Sequence, residues 1–360
     1  MINALTIEII TGIALSALGA QTPRTVRSDT AMARAAAADS AHLREAMAPP
    51  AAREAEWKHR DWRDPSPHRE GFVDAGGVQL HYLDWGGRGA AMVFVPGMGH
   101  TAHVFDDLAP RFTDSFHVVA LTLRGHGGSS APSHPYTVDS LALDVARALD
   151  ALRLRDVILV GHSLGGHVAN RVAILHGSRV ARVIYLDAAK DSTGLAALRA
   201  AAPTGRPSPE ALSRGDDARA HWAQRRLYFA FWSNAQEADY RAGRTAPEIP
   251  SMSDLYSLQD WRAVRQPQLD VCALDTPSVQ FPWLAGRDRE RMTSQIARYL
   301  ADRFVPWERA SCARFAAEAR SGTLVIVPQS NHYVFLVSPE QTYVAMKRWL
   351  ASRVSQPVDR

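Results

Sequence analysis

The chain has 360 residues, 46% hydrophobic and 22% charged, and 41 Lys and Arg against 37 Asp and Glu leave a net charge of +4. That composition supplies a sizeable core and excludes global disorder, and the length suits one main domain carrying insertions. The basic residues, almost all arginine, are scattered without a run, which argues against a nucleic-acid footprint.

At the N-terminus, Ile9 to Ala20 is apolar and ends in small residues, as the core of a secretory signal does. No Lys or Arg precedes Arg24, and Glu8 sits at the edge of the stretch, so a cytoplasmic protein is expected, with export to the periplasm as the alternative. The stretch is shorter than the roughly 20 residues a bilayer needs, so no stable membrane insertion is expected. Gln21 to about Pro67 is rich in Ala, Arg and Pro, and residues 1–67 read as a largely disordered extension.

Strand signals begin at Phe72 to Asp74 and Val78 to Asp84, separated by the turn Gly76-Gly77, which predicts an opening hairpin. Ala91 to Val95, His117 to Leu123 and Val157 to Val160 follow, each ending at a Gly-rich turn. Val183 to Leu186 and Thr323 to Val327 extend the series, with Leu269 to Leu274 as a weaker candidate. Continuous Val/Leu/Ile runs alternating with helices predict an α/β fold whose mostly parallel sheet is covered on both faces. Between about Thr193 and Arg265 the rhythm breaks into a long stretch of helical texture carrying Trp222, Tyr228, Phe229, Phe231, Trp232, Tyr256 and Trp261. It reads as a helical cap, residues 193–265, inserted into a core of residues 68–192 and 266–354. Its aromatics serve either an apolar pocket or the cap's own core.

The cysteines, Cys272 and Cys312, fit neither a disulfide framework nor a zinc site. They are expected to be buried small hydrophobes, a single bridge being the alternative.

The strongest local signal is Gly161-His162-Ser163-Leu164-Gly165-Gly166, directly after the strand Val157 to Val160 and leading into a helical stretch, Val168 to Leu175. This is the strand–turn–helix setting of a nucleophile elbow, in which small neighbours let strand and helix approach around a strained serine. The helix start then aims backbone N–H groups and a positive dipole end at a developing oxyanion. Val95-Pro96-Gly97-Met98-Gly99-His100 offers the second half of such a hole, pairing the Met98 N–H with that of Leu164. A serine hydroxyl needs a base, and of fourteen histidines His332 stands out, because Ser330-Asn331-His332-Tyr333 follows the strand Thr323 to Val327 at the ligand-binding edge of the sheet. His126 and His162 also fall near the site and are expected to shape it. The carboxylate that orients the imidazole has several candidates. Asp187 ends the strand Val183 to Leu186, Asp275 follows the weaker strand, and Asp191 and Asp288 trail. A turn or capping role is the competing explanation for Asp187.

On these residues the chain resembles the α/β-hydrolase superfamily, in its group of capped esterases, lipases, haloperoxidase-like proteins and epoxide hydrolases. His81-Tyr82-Leu83-Asp84-Trp85-Gly86 resembles the opening hairpin, Leu123-Arg124-Gly125-His126-Gly127-Gly128-Ser129 the R-G-x-G-x-S loop, and Asn331-His332-Tyr333-Val334-Phe335-Leu336 the histidine segment. The resemblance spans about Val78 to Leu350. It implies an eight-stranded type of sheet and a Ser163, His332 and Asp187 triad acting on an ester-type bond of an apolar small molecule. No metal or organic cofactor is implied. Pro96 replaces the histidine of the usual H-G pair, which leaves the backbone donor intact. No G-x-x-D follows the penultimate strand, whereas some relatives carry the acid one strand earlier, where Asp187 lies. A serine at position 163 disfavours epoxide hydrolase and haloalkane dehalogenase chemistry, which uses aspartate there. Cleavage of C–C bonds, lactones or amides, peracid formation, and a catalytically silent receptor or interaction module remain the competing functions. Nothing in the sequence indicates an oligomeric state.

Overall fold

The computed structural model of the chain describes residues 7–9, 66–98, 100–130, 132, 135–190, 194, 197–198, 201, 259–274, 295, 297–328, 330 and 332–352. Their strands are β1 (Ile7–Ile9), β2 (Arg69–Asp74), β3 (Gln79–Gly86), β4 (Ala91–Val95), β5 (His117–Leu121), β6 (Val157–His162), β7 (Val180–Leu186), β8 (Gln268–Leu274) and β9 (Gly322–Pro328). The helices are α1 (Val138–Ala151), α2 (Leu164–Leu175), α3 (Val305–Glu318), α4 (Val334–Val337) and α5 (Pro339–Ala351).

The strands form one sheet in the order β1-β9-β8-β7-β6-β4-β5-β3-β2. From β1 to β5 every neighbouring pair is parallel, and the hairpin β2–β3 is added antiparallel to β5. Buried residues on both faces of predominantly apolar strands explain why the sheet is covered twice. Val93, Leu159, Val183 and Cys272 join the core beneath α1, α2 and α3, while Phe94, Val160, Ile184 and Val271 join the core beneath α4 and α5. Helix α1 starts cleanly because Thr137 and Ser140 form a reciprocal capping box. The strand order reverses at β4, so the loops after β4 and β6 open side by side at the carboxyl edge, the position that favours ligand binding in such sheets.

Three expectations need correction. Cys272 and Cys312 are buried as predicted but are bonded to each other, tying β8 to α3. Both project into the space between sheet and helix, a proximity that packing rather than their 40-residue separation creates. Within the N-terminal extension, Ile7–Ile9 pairs in parallel with Leu324–Ile326 and lengthens the sheet by a strand. The predicted cap falls mostly outside the described residues, as do Trp222, Tyr228, Phe229, Phe231, Trp232 and Tyr256. Its proposed end at residue 265 is too late, since Trp261 and Val264 already belong to the main core. The Trp261 ring meets Phe315 edge-on at 5.7 Å, and the Arg314 guanidinium lies 4.8 Å over it. Among the described residues no helix is long and apolar enough to cross a membrane.

Candidate active site

Ser163 stands between the last residue of β6 and the first of α2 with φ 52° and ψ −122°. That left-handed backbone costs a residue with a Cβ about 1–3 kcal/mol, which the surrounding packing must impose. The glycines show how it does. A Cβ on Gly161 would sit 2.3 Å from the Gly165 carbonyl oxygen, and one on Gly165 would sit 2.0 Å from that of Val95. Strand, helix and the end of β4 therefore converge at distances only glycine allows. The loop after β4 closes over the serine: a Cβ on Gly97 would meet Ser163 Cβ at 2.9 Å, His162 Nδ1 at 3.1 Å and the His100 ring at 3.3 Å. Met98 follows within this loop, and Leu164 is buried at the helix start.

His332 arrives from the loop after β9 and is docked by the elbow itself. The imidazole of His162 donates through Nε2 to the His332 carbonyl oxygen at 2.9 Å, and the two rings lie 4.7 Å apart. Burial, with the neighbouring His332 and His100, holds His162 well below the usual histidine range, so it is a neutral donor that fixes the loop. This matches the shaping role expected of it. His100 Nε2 lies 3.1 Å from the Tyr333 hydroxyl, adding a second link between the two loops. His126 is buried with Nδ1 on the Arg124 carbonyl at 2.9 Å, where it stiffens its own loop.

The Asp187 carboxylate meets the other side of the imidazole, with His332 Nδ1 to Oδ2 at 2.9 Å. Asp187 also holds a positive φ of 49°, directly after β7, and its side chain is fully buried. Its Oδ1 accepts the Ala273 N–H at 2.8 Å and the Lys190 ammonium at 2.9 Å. Burial pushes this carboxyl up, but the charge of Lys190 and the hydrogen bond from His332 outweigh it and hold the group below its ordinary value. Asp187 is therefore ionised and can only accept, which places the proton of His332 on Nδ1 and leaves Nε2 as the basic atom. Asp275, Asp191 and Asp288, the rival acids, lie outside the described residues.

Three neighbours escaped the sequence reading. Lys190 reaches Glu308 Oε1 on α3 at 2.6 Å, and Asp270 lies wholly buried in β8. The one available signal was a lysine three residues after Asp187, in a chain whose cations are nearly all arginine. Asp270 approaches Cys272 and Cys312, but both sulfurs are committed to their mutual bond, and a lone carboxyl does not hold a metal.

A serine on a sharp strand–helix elbow, a histidine loop and a buried carboxylate lie at one edge of a largely parallel sheet, and residues 92–345 match the alpha/beta hydrolase family, to which the chain belongs. Among individual proteins it is similar to the N-formylmaleamate deformylase of Pseudomonas putida, at 33% identity over 215 residues covering 56% of this chain and 77% of that enzyme. It is also similar to a non-heme chloroperoxidase of Streptomyces lividans, at 38% identity over 115 residues covering 31% of this chain and 42% of that one. The crystal structure of E-2-(acetamidomethylene)succinate hydrolase matches with a TM-score of 0.52 at 24% identity, covering 79% of this chain and 100% of that chain, a likeness of fold.

Proposed function

We propose that this chain is a serine hydrolase that cleaves an ester-type bond of an apolar small molecule through an acyl-enzyme. The observation that carries the proposal is the 2.9 Å hydrogen bond from His332 to an ionised Asp187, on a loop docked against the residue preceding Ser163. In this scheme His332 Nε2 takes the Ser163 hydroxyl proton as Oγ bonds to the acyl carbon. The N–H groups of Met98 and Leu164 receive the oxyanion, and the imidazolium passes its proton to the departing alcohol. Water attacks the acyl group through the same base and frees Ser163. The scheme uses no metal or organic cofactor. In this proposal the inserted cap, ending before Trp261, supplies the substrate's apolar surroundings.

A second reading, hydrolysis of an amide or formamide bond, draws support from the likeness to N-formylmaleamate deformylase. The same triad serves both, because only the leaving group differs. A fluorophosphonate probe is expected to label the wild type and not Ser163→Ala, and an unlabelled wild type would mark a silent hydrolase fold. Rates on p-nitrophenyl esters of increasing acyl length, on lactones and on N-formyl amides then rank the bond types. Preference for the amide panel would replace the ester reading.

A further inference from the structure

Behind the acid lies a buried set of charges that acyl transfer does not itself require. Lys190 Nζ lies 2.9 Å from Asp187 Oδ1 and 2.6 Å from Glu308 Oε1, and the side chains of Asp187 and Glu308 are 0% and 1% exposed. Asp187 is thus faced by His332 from the loop after β9, by Lys190 from its own loop and by Asp270 from β8. Glu308 reaches it through Lys190 from α3, and the neutral His162 of β6 backs His332.

We propose that Lys190, anchored by Glu308, is a positioning residue for hydrolysis: it keeps Asp187 charged and turned so that Oδ2 receives the His332 Nδ1–H. The inference rests on the serine-hydrolase reading above. A carboxyl sealed from water tends toward its neutral form, and a neutral carboxyl can donate to Nδ1, which would move the imidazole proton to Nε2 and remove the base. Besides the His332 N–H itself, the Ala273 N–H is a single neutral donor against that tendency. The ammonium opposes it directly and occupies Oδ1, leaving Oδ2 for the histidine. Glu308 keeps the lysine head from leaving for solvent. Charge counting favours the step as well. Burial and the nearby Asp187 push Asp270 up to about 8, which favours its neutral form at pH 7. Asp187, Lys190 and Glu308 then sum to one negative charge, which the imidazolium formed during catalysis cancels.

The test uses the full chain with Lys190→Met/Glu308→Gln. The double variant removes an opposite pair together and leaves no stranded charge from it. Fluorophosphonate labelling of Ser163 and hydrolysis of p-nitrophenyl acetate are followed from pH 4 to 9. The expected result is labelling and kcat slower by about tenfold at pH 7, with KM changed less than about twofold, a fraction of what losing a triad acid costs. The acid limb of kcat/KM is expected to move to higher pH, since Asp187 loses the charge that opposes its protonation. If the double variant does not fold, Glu308→Gln alone cuts the anchor while leaving the ammonium in place, and a smaller shift of the same limb is expected. A wild type inert to the probe would overturn the underlying serine-hydrolase reading. A labelled wild type whose rate and pH profile the folded variant reproduces would overturn the role of Lys190 alone, since a merely structural pair alters thermal stability without moving the limb.

Discussion

Asp187 combines an unfavourable backbone conformation with full burial and four polar partnerships: its own N–H to the Val271 carbonyl, and side-chain contacts with Ala273, Lys190 and His332. A turn or capping aspartate has no need of a buried cation and an imidazole. If the acid acts as proposed, Asp187→Ala should lower kcat by about two or more orders of magnitude, the scale seen when a triad loses its acid. Asp275→Ala should change it only a few-fold, and steady-state rates of the two purified variants decide the matter. The opposite ranking would falsify the assignment. The placement of Ser163 on its elbow was legible from its motif, that of His332 from its position after a strand, and that of Asp187 beside the imidazole from chain order, strand position and the family resemblance. Lys190 and Glu308 were not, because their meeting depends on helix α3 crossing beneath a loop 118 residues away in sequence.

The elbow is where single residues become a property of whole elements. Gly165 lies where α2 leaves Ser163, and any side chain there would strike the Val95 carbonyl oxygen at 2.0 Å and that of Pro96 at 2.7 Å. Backbone cannot step aside as a side chain tip can, so α2 must separate from β4, carrying the Leu164 N–H away from the loop that holds Met98. Gly165→Ala is therefore expected to abolish fluorophosphonate labelling and to lower the melting temperature. Gly77 makes the contrast: its φ of 91° disfavours a side chain, yet a Cβ there meets nothing within 4 Å. Gly77→Ala should cost only about 1 kcal/mol of stability and leave labelling intact. Equal loss of labelling in the two variants would show that conformation, not the close approach of α2 to β4, governs the elbow. At this scale the sequence was informative wherever an element's own period or its turns define it. Among the described residues, seven of the nine strands contain a run recognisable beforehand as apolar or alternating, and a further one, β8, was the weaker candidate. The remaining strand, Ile7–Ile9, exists through its pairing with β9, a tertiary fact that local pattern does not encode.

For the whole molecule the pattern of buried runs was enough to anticipate a parallel sheet clothed on both faces, while the Cys272–Cys312 bond and the return of the chain to the core at Trp261 depended on which faces meet. The same enclosure makes stability depend on pH. Asp187 is held below its ordinary value, so its contribution is present at neutral pH and lost in acid as the pH falls through its folded value. His162, held neutral well below 6.5, likewise contributes above that pH and opposes folding below it. Asp270 runs the other way. Burial and the nearby Asp187 raise its carboxyl to about 8, against the opposing pull of the Lys190 charge and of the Ala189 and Ala188 N–H groups. The folded chain therefore keeps a proton that the unfolded chain has released above 3.8, and the stabilising advantage present in acid is lost as the pH climbs through 8. Comparing Asp270→Asn with the wild type isolates this group, because the other titrations are common to both and any packing penalty of the amide is independent of pH. Urea unfolding between pH 5 and 9 should show the variant gaining on the wild type by up to about 1.4 kcal/mol per pH unit until near pH 8, and by nothing further beyond it. A difference that stays constant across this range would mean that Asp270 is already ionised in the folded protein, and that Lys190 balances three carboxylates rather than two.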